Sequence, residues 1–348
     1  MPSKSEKSIV SLGDIAREAG VSRAAASYAL NNQAGVSKAT RERILEISKR
    51  MGYVPDARIN TWMARIRDSK EKGLLPIIWL NTIKNTPSWH DYSFLSPYLE
   101  GAQKRGLELG YRIDEFWTHQ PGMNMKKVSD MLYRRGIEGF VCTYPATHFR
   151  IDWNSVAGVA IQGGLLSPRL HRVVSNSYAN LLLSLKMAKR YGYKRIGVCL
   201  EKQVDQFSAH SLRAAAIYAN SVTPRTHQVP PLFYSHRDES TWPAAKKVLQ
   251  AWIRKHRPEV IIGHSSELVN CVLETGLKIP EEIGIIHLAT DDDVADWAGV
   301  CSNKRLIGAT AIELLVSLMR NRQYGIPEFA VDTSIEGEWQ DGWTLMKK

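Results

Sequence analysis

Between Ser11 and Asn31 the chain reads SLGDIAREAGVSRAAASYALN, and four of these residues share one helical face. At helical spacing Arg23, Ala24, Ser27 and Tyr28 point one way, while Ala25, Ala26, Ala29 and Leu30 point the other. The first set has the chemistry of nucleic-acid recognition. An arginine fork near a helix N-terminus matches the two acceptors on a guanine edge, and a serine hydroxyl suits a phosphate. The second set is small and apolar, as close packing against another helix requires.

The residues around that face predict the elements that hold it. Ser11 and Asp14 have capping-box spacing, which satisfies unpaired amides at a helix start. Ile15, Ala16 and Ala19 continue the helix, and Gly20 stands where a left-handed residue ends it. Val21 is apolar, and Ser22 caps a second helix that runs to about Leu30. Two helices joined through a glycine turn are the arrangement that lays a recognition helix in the DNA major groove. A third helix is predicted from the Ser37 cap to Gly52, with Ile44, Leu45, Ile47 and Met51 as its stripe. Tyr53, Pro55 and Asp56 follow, then a short helical stretch from Ala57 to about Arg67. The charged linker RDSKEKG ends at Gly73. This gives a head over 1–56, a hinge helix and linker over 57–73, and a larger body over 74–348.

Charge is distributed in keeping with a DNA partner. The chain holds 46 Lys and Arg against 35 Asp and Glu, for a net charge of +11. Residues 1–72 hold 14 basic and 8 acidic residues, so about a fifth of the chain carries +6 of that charge. A basic module on a less charged body suits phosphate contact with counterion release.

Catalytic patterns fail where they are looked for. Gly101 to Gly106 has the spacing of a phosphate loop, but Leu107 replaces the lysine and the segment reads as helix. Asp291, Asp292 and Asp293 follow a strand with no spaced His or Cys, and read as a solvated turn rather than a metal site. There is no G-x-S-x-G elbow. Cys142, Cys199, Cys271 and Cys301 are widely spaced and read as buried thiols of a reducing compartment. No signal peptide or 18-residue apolar stretch is evident, so the expectation is a cytoplasmic protein without membrane, metal or cofactor.

The body alternates strands and helices. LLPIIWLN, from Leu74 to Asn81, is an apolar run of buried-strand length. Helices ending at Gly110, Gly136, Gly192 and Gly276 lead into YRIDEFW, IEGFVCTYP, YKRIGVCL and IGIIHLA. That rhythm predicts an α/β body of parallel sheets with helices on both faces. Trp89, Trp242 and Trp297 fall in or near loops and are candidates for stacking on a ligand.

The segments DIAREAGVSRAAASYALN and GVSKATRERILEISKRMGYVPDA resemble the N-terminal domain of the lactose-repressor (LacI) family of bacterial transcription regulators, over about residues 9–58. More weakly, RIGV, PEVIIG, GLKIPEEIG and LIGATAIELL in the body resemble the same family. The resemblance implies a helix-turn-helix head on a two-lobed core like that of a periplasmic sugar-binding protein. The lobes are expected near 74–162 with 302–326, and 163–301 with 327–345. It also implies Arg23, Ala24 and Tyr28 at base-reading positions, and Ser22, Ser27 and Asn31 at phosphates. Tyr28 stands where many relatives have arginine, which predicts a different operator sequence. Seven residues after Pro55, Trp62 stands where the family usually has a minor-groove leucine, with Ile59 assigned to the same contact, unless the register slips to Met63.

In the cleft, SAHSLRAAAIYA resembles the family's R-x-x-G-F helix start, with Ala216 for the glycine, so Arg213 is expected to grip an effector. Ser175-Asn176 stands for Asp-Asn, His264-Ser265 for Asn-Asp, and Ser302 for a frequent glutamine. The expected protein is a homodimeric regulator on a pseudo-palindromic operator, answering to a small polar metabolite, a sugar or sugar acid rather than a nucleotide. The alternatives are an α/β enzyme with an appended DNA-binding head, and a DNA-binding protein that needs no effector.

Overall fold

Ser11 opens the first helix as its spacing predicts. Its hydroxyl accepts the Asp14 amide and the Asp14 carboxylate accepts the Ser11 amide at 3.0 Å, closing the capping box on α1 (Leu12–Glu18). Gly20 takes a left-handed φ of +63° and turns the chain. Ser22 Oγ then accepts the Ala25 amide at the start of α2 (Arg23–Leu30). Ser37 caps α3 (Lys38–Met51) through the Thr40 amide, and Gly52 ends it. Ile15, Ala19, Ala29, Ile44 and Ile47 form the core of these three helices. The computed structural model describes residues 10–30, 35–53, 73–84, 87–143, 150–163, 167–235, 240–291 and 294–348. The chain divides into two compact units, Met1–Gly73 and Leu74–Lys348.

Among the described residues the second unit contains two six-stranded sheets. In chain order its first half holds β1 (Leu75–Asn81), α4 (Ser96–Glu108), β2 (Tyr111–Trp117), α5 (Met125–Arg134), β3 (Gly139–Thr143), β4 (Ala157–Ile161) and β5 (His171–Ser175). Then come α6 (Ser177–Arg190), β6 (Ile196–Glu201), α7 (Lys202–Phe207), α8 (Ser211–Ser221), β7 (Leu232–Tyr234), α9 (Trp242–His256), β8 (Val260–Gly263), α10 (Leu268–Leu273) and β9 (Gly284–His287). The chain closes with β10 (Gly299–Cys301), α11 (Lys304–Arg320), β11 (Asp332–Ile335) and β12 (Glu338–Gln340). The first sheet runs β11-β5-β4-β3-β1-β2, all parallel; the second runs β12-β10-β9-β8-β6-β7, with β12 antiparallel to β10. Each sheet has apolar clusters of buried side chains, as a parallel sheet covered by helices requires.

Two of the three expected lobe boundaries move. β5 belongs to the first sheet, so the first crossing follows Ser175 rather than residue 162. β11 also joins the first sheet, in register with β5 from Asp332 opposite Arg172 to Ile335 opposite Ser175, so the last crossing follows Ile335 rather than residue 326. The middle crossing, between Cys301 and Lys304, falls where expected. The β5–β11 pair joins segments about 160 residues apart, bound by the Arg172–Asp332 ion pair, and no local periodicity announces it.

The run from Gly101 to Gly106 lies inside α4 and serves packing. A Cβ on Gly101 would run into the Arg305 carbonyl of α11, and one on Gly308 into the Tyr98 carbonyl of α4. The two helices therefore touch backbone to backbone. That contact fixes Tyr98 on α4 relative to Lys304 at the start of α11. Gly308→Ala should push the helices apart at a cost of about 1–3 kcal/mol, read by urea unfolding; wild-type stability would show that the contact yields without strain.

Candidate DNA-reading head and effector cleft

On α2, Ala26 and Ala29 are buried, while Arg23, Ala24 and Tyr28 are exposed. Ser27 is half-buried and Ser22 exposed at the cap. The small inner face lets α2 sit close to α1 and α3, and Arg50 Nη2 meets Glu18 Oε1 at 2.6 Å to tie α3 to α1. The outer face presents an arginine, an alanine and a tyrosine to solvent, and Tyr28 is 43% exposed. Asn31, Ile59 and Trp62 lie outside the described residues.

In the second unit a cleft of about 720 Å³ opens between the two sheets. Ser175, His264, Ser265 and Ser302, expected as effector contacts, all line it. Arg213 does not line it. Its Nε lies 2.9 Å from Oδ2 of Asp205, which is fully buried, and its guanidinium stacks 4.3 Å above the Phe233 ring. His210 Nδ1 and the Arg213 amide also meet the Asp205 carboxylate, at 2.9 and 3.2 Å. A buried carboxylate needs its countercharge, and Arg213 supplies it. Asp205 stands eight residues before Arg213 in the sequence and was the signal available for this pairing.

One wall of the cleft is aromatic. Trp89, Tyr92, Phe94 and Tyr98 come from the first lobe. Trp89 is placed by Glu115, which accepts the Trp89 amide at 2.8 Å and the Ser88 hydroxyl at 2.9 Å. The Trp89 ring meets Trp79 and Tyr98 edge to face. Of the other two tryptophans singled out, Trp297 is buried against the His287 ring, and Trp242 begins α9 and packs on the second lobe's core. Gln162, at a left-handed φ of +57°, donates to the Tyr98 hydroxyl at 2.8 Å and accepts the Ser175 amide. Sequence reasoning passed over it; the one local signal available was the glycine that follows it, Gly163.

The rest of the lining mixes serines, histidines and Gln203 with apolar side chains such as Val204, Leu212 and Leu288. His264 and His287 lie with rings 5.4 Å apart. Burial pushes His264 down to about 3 and His287 down to about 4, so both are neutral near pH 7. The charged residues lining the cleft are Glu201, Glu267 and Lys304.

Asp291 departs from the expected solvated turn. Its carboxylate accepts the Ser302 amide and hydroxyl at 2.8 and 2.6 Å and the Lys304 amide at 3.0 Å. Burial opposes its charge, but the Ser302 and Lys304 hydrogen bonds and the Lys304 ammonium hold its pKa below the ordinary value. Asp292 and Asp293 lie outside the described residues, and among those described no three His, Cys, Asp or Glu are grouped to hold a metal. Cys142, Cys199 and Cys271 are buried thiols and Cys301 is half-buried. Among the described residues no helix is long and apolar enough to cross a membrane.

Residues 11–56 match the family model for bacterial regulatory proteins of the lacI family, and residues 186–335 match the periplasmic binding protein-like domain. The chain joins a lacI-family DNA-binding domain to a periplasmic binding protein-like domain. It is a DNA-binding transcription regulator. Its named relatives are repressors: PurR of Aliivibrio salmonicida is 21% identical over 91% of this chain and 94% of its own length, and CytR of Escherichia coli is 22% identical over 93% and 94%. The ribose operon repressor of Haemophilus influenzae is 20% identical over 90% and 93%. The complex of the regulator CelR with cellobiose superposes with a TM-score of 0.59 at 18% identity, covering 96% of this chain and 99% of that one. The lac repressor dimer bound to operator and the anti-inducer ONPF gives 0.56 at 15% identity, covering 97% and 99%. These likenesses show the fold.

Two predictions follow from the LacI-type core of this chain. Because His287 has a folded pKa below its ordinary 6.5, acid protonates the unfolded chain first. Stability should therefore fall as pH drops from 6.5 toward about 4, and His287→Gln should flatten the fall in Tm between pH 7 and 5. An unchanged slope would contradict a buried neutral imidazole. Arg213→Ala should destabilise the ligand-free protein by roughly 1–3 kcal/mol, discounted for the arginine's partial exposure, because Asp205 loses its countercharge. A variant of wild-type Tm would return Arg213 to the status of a free surface residue.

Proposed function

We propose that this regulator represses transcription as a cytoplasmic homodimer on a pseudo-palindromic operator, and that an uncharged sugar or sugar derivative in the cleft sets its operator affinity. The observation that carries the DNA half is the division of α2 into a small buried face and an exposed face bearing Arg23, Ala24 and Tyr28. Arg23 reads a base edge, Tyr28 and Ala24 contact neighbouring bases, and Ser22, Ser27 and Asn31 meet phosphates. Trp62 and Ile59 enter the minor groove at the operator centre, where large apolar side chains unstack a base step. One reading head per subunit of a two-fold dimer calls for two inverted half-sites.

The cleft supports the ligand half. Its volume lies in the range of small-molecule sites. An aromatic wall facing serines, amides and neutral imidazoles suits the apolar faces and hydroxyl edges of a sugar. Arg213 pairs with Asp205, Lys304 interacts with Asp291, and the carboxylates Glu201 and Glu267 also line the cleft, so charge favours a neutral sugar over a sugar acid. The relatives named for cellobiose and ribose are consistent with that class. An α/β enzyme is disfavoured by the repressor relatives.

Selection from random duplexes tests the DNA half. The wild type should yield an inverted repeat, and Arg23→Ala should relax one position per half-site, a loss of about 1–3 kcal/mol of discrimination. An identical motif from both proteins would remove Arg23 from the base contacts. For the ligand, neutral mono- and disaccharides should raise Tm while sugar acids and sugar phosphates do not. At a hundred times the dissociation constant a true ligand stabilises by about 2.7 kcal/mol, and stabilisation by the acids alone would reverse the charge argument.

A further inference from the structure

Gly13 sits in the first turn of α1, where nothing in the backbone calls for glycine. It is helical, with none of the left-handed φ that Gly20 and Gly52 adopt. Glycine is among the poorest helix formers. The space above it, however, is taken. A Cβ built on Gly13 would stand 2.6 Å from Nη2 of Arg23, 2.9 Å from its Nε and 3.1 Å from its Cζ. The guanidinium thus rests on the bare Cα. Beside it, the Asp14 carboxylate is held below its ordinary pKa mainly by the Ser11 hydrogen bonds, with the charges of Arg17 and Arg23 adding to the effect.

We infer that Gly13 determines operator specificity through Arg23: the notch it leaves on α1 sets the orientation in which the guanidinium meets a base edge. The inference rests on Arg23 being a base reader, as proposed above. A fork already resting in one orientation loses less freedom on binding and aligns two donors with one base pair. Any side chain at position 13 lifts the fork from that seat. The atoms displaced are the far end of a flexible side chain, so the helices themselves need not move. Gly13 does not touch DNA in this account; it is a positioning residue.

The test uses full-length Gly13→Ala, Arg23→Ala and the double variant. Each is titrated against the selected operator and against operators changed at the base pair that Arg23 reads, with thermal unfolding alongside. Gly13→Ala should keep or raise Tm, since alanine is the better helix former. It should lower discrimination at that base pair about tenfold, within the range for a lost bidentate contact, and leave other positions unchanged. Gly13→Ser, which also adds a Cβ, should do the same. In the Arg23→Ala background the position-13 change should add nothing. Discrimination lost in Arg23→Ala but kept in Gly13→Ala overturns the inference alone, as does a Gly13 effect that persists without Arg23. Discrimination kept in both overturns the base-reading role of Arg23 and the inference with it.

Discussion

Three stretches of chain must pass between the two sheets of the core side by side, and each brings backbone polar groups into a crowded place where they need partners. Asn180 supplies two. Its Oδ1 accepts the Gly337 amide at 2.8 Å and its Nδ2 donates to Ser175 Oγ at 3.0 Å, so it joins the first crossing to the last. Asn303 donates to the Glu336 carbonyl at 3.1 Å and joins the middle crossing to the last. Asp291 gathers Ser302 and Lys304 from the end of β9. A side chain on Gly337 would collide with Val300 and Cys301, so the crossings have no room to spread. The cleft is the space these ties leave between two otherwise separate cores, and Ser175, Asn180, Ser302 and Lys304 belong both to the crossings and to its lining.

Close approach through missing side chains recurs in both units. Gly101 and Gly308 bring α4 against α11 and so place Tyr98 opposite the crossings. Alanines 26 and 29 bring α2 down onto its neighbours and leave its outer face to carry arginine and tyrosine. In each case small residues at the contact fix what large residues on the far side can reach.

The head was legible because its signals are local. Ser11, Asp14, Gly20, Ser22, Ser37 and Gly52 each act within about four residues, and each takes the role its spacing predicts. The strand LPIIWLN was equally plain, since a buried parallel strand is a nearly continuous apolar run; YRIDEFW, an edge strand with three charged residues, was marked instead by the helix-ending Gly110 before it. The crossings were not legible, because β5 and β11 find each other only in the folded chain. In the cleft, resemblance led to serines and His264 that line it, but not to the pairing of Arg213 with Asp205 on α7. Nor did it lead to Gln162, Glu115 or Lys304, whose roles depend on partners distant in sequence.

In the regulation proposed above, a ligand in the cleft acts on operator affinity by binding one conformational state better than another. Linkage makes the coupling reciprocal. The direct measurement is calorimetric titration of the stabilising neutral sugar into the full-length protein, with and without saturating operator duplex, beside operator titration with and without the sugar. The two affinity ratios should be equal and differ from one by roughly fivefold or more. A sugar that binds with one affinity whether or not operator is present would contradict the account and leave the cleft without a regulatory role.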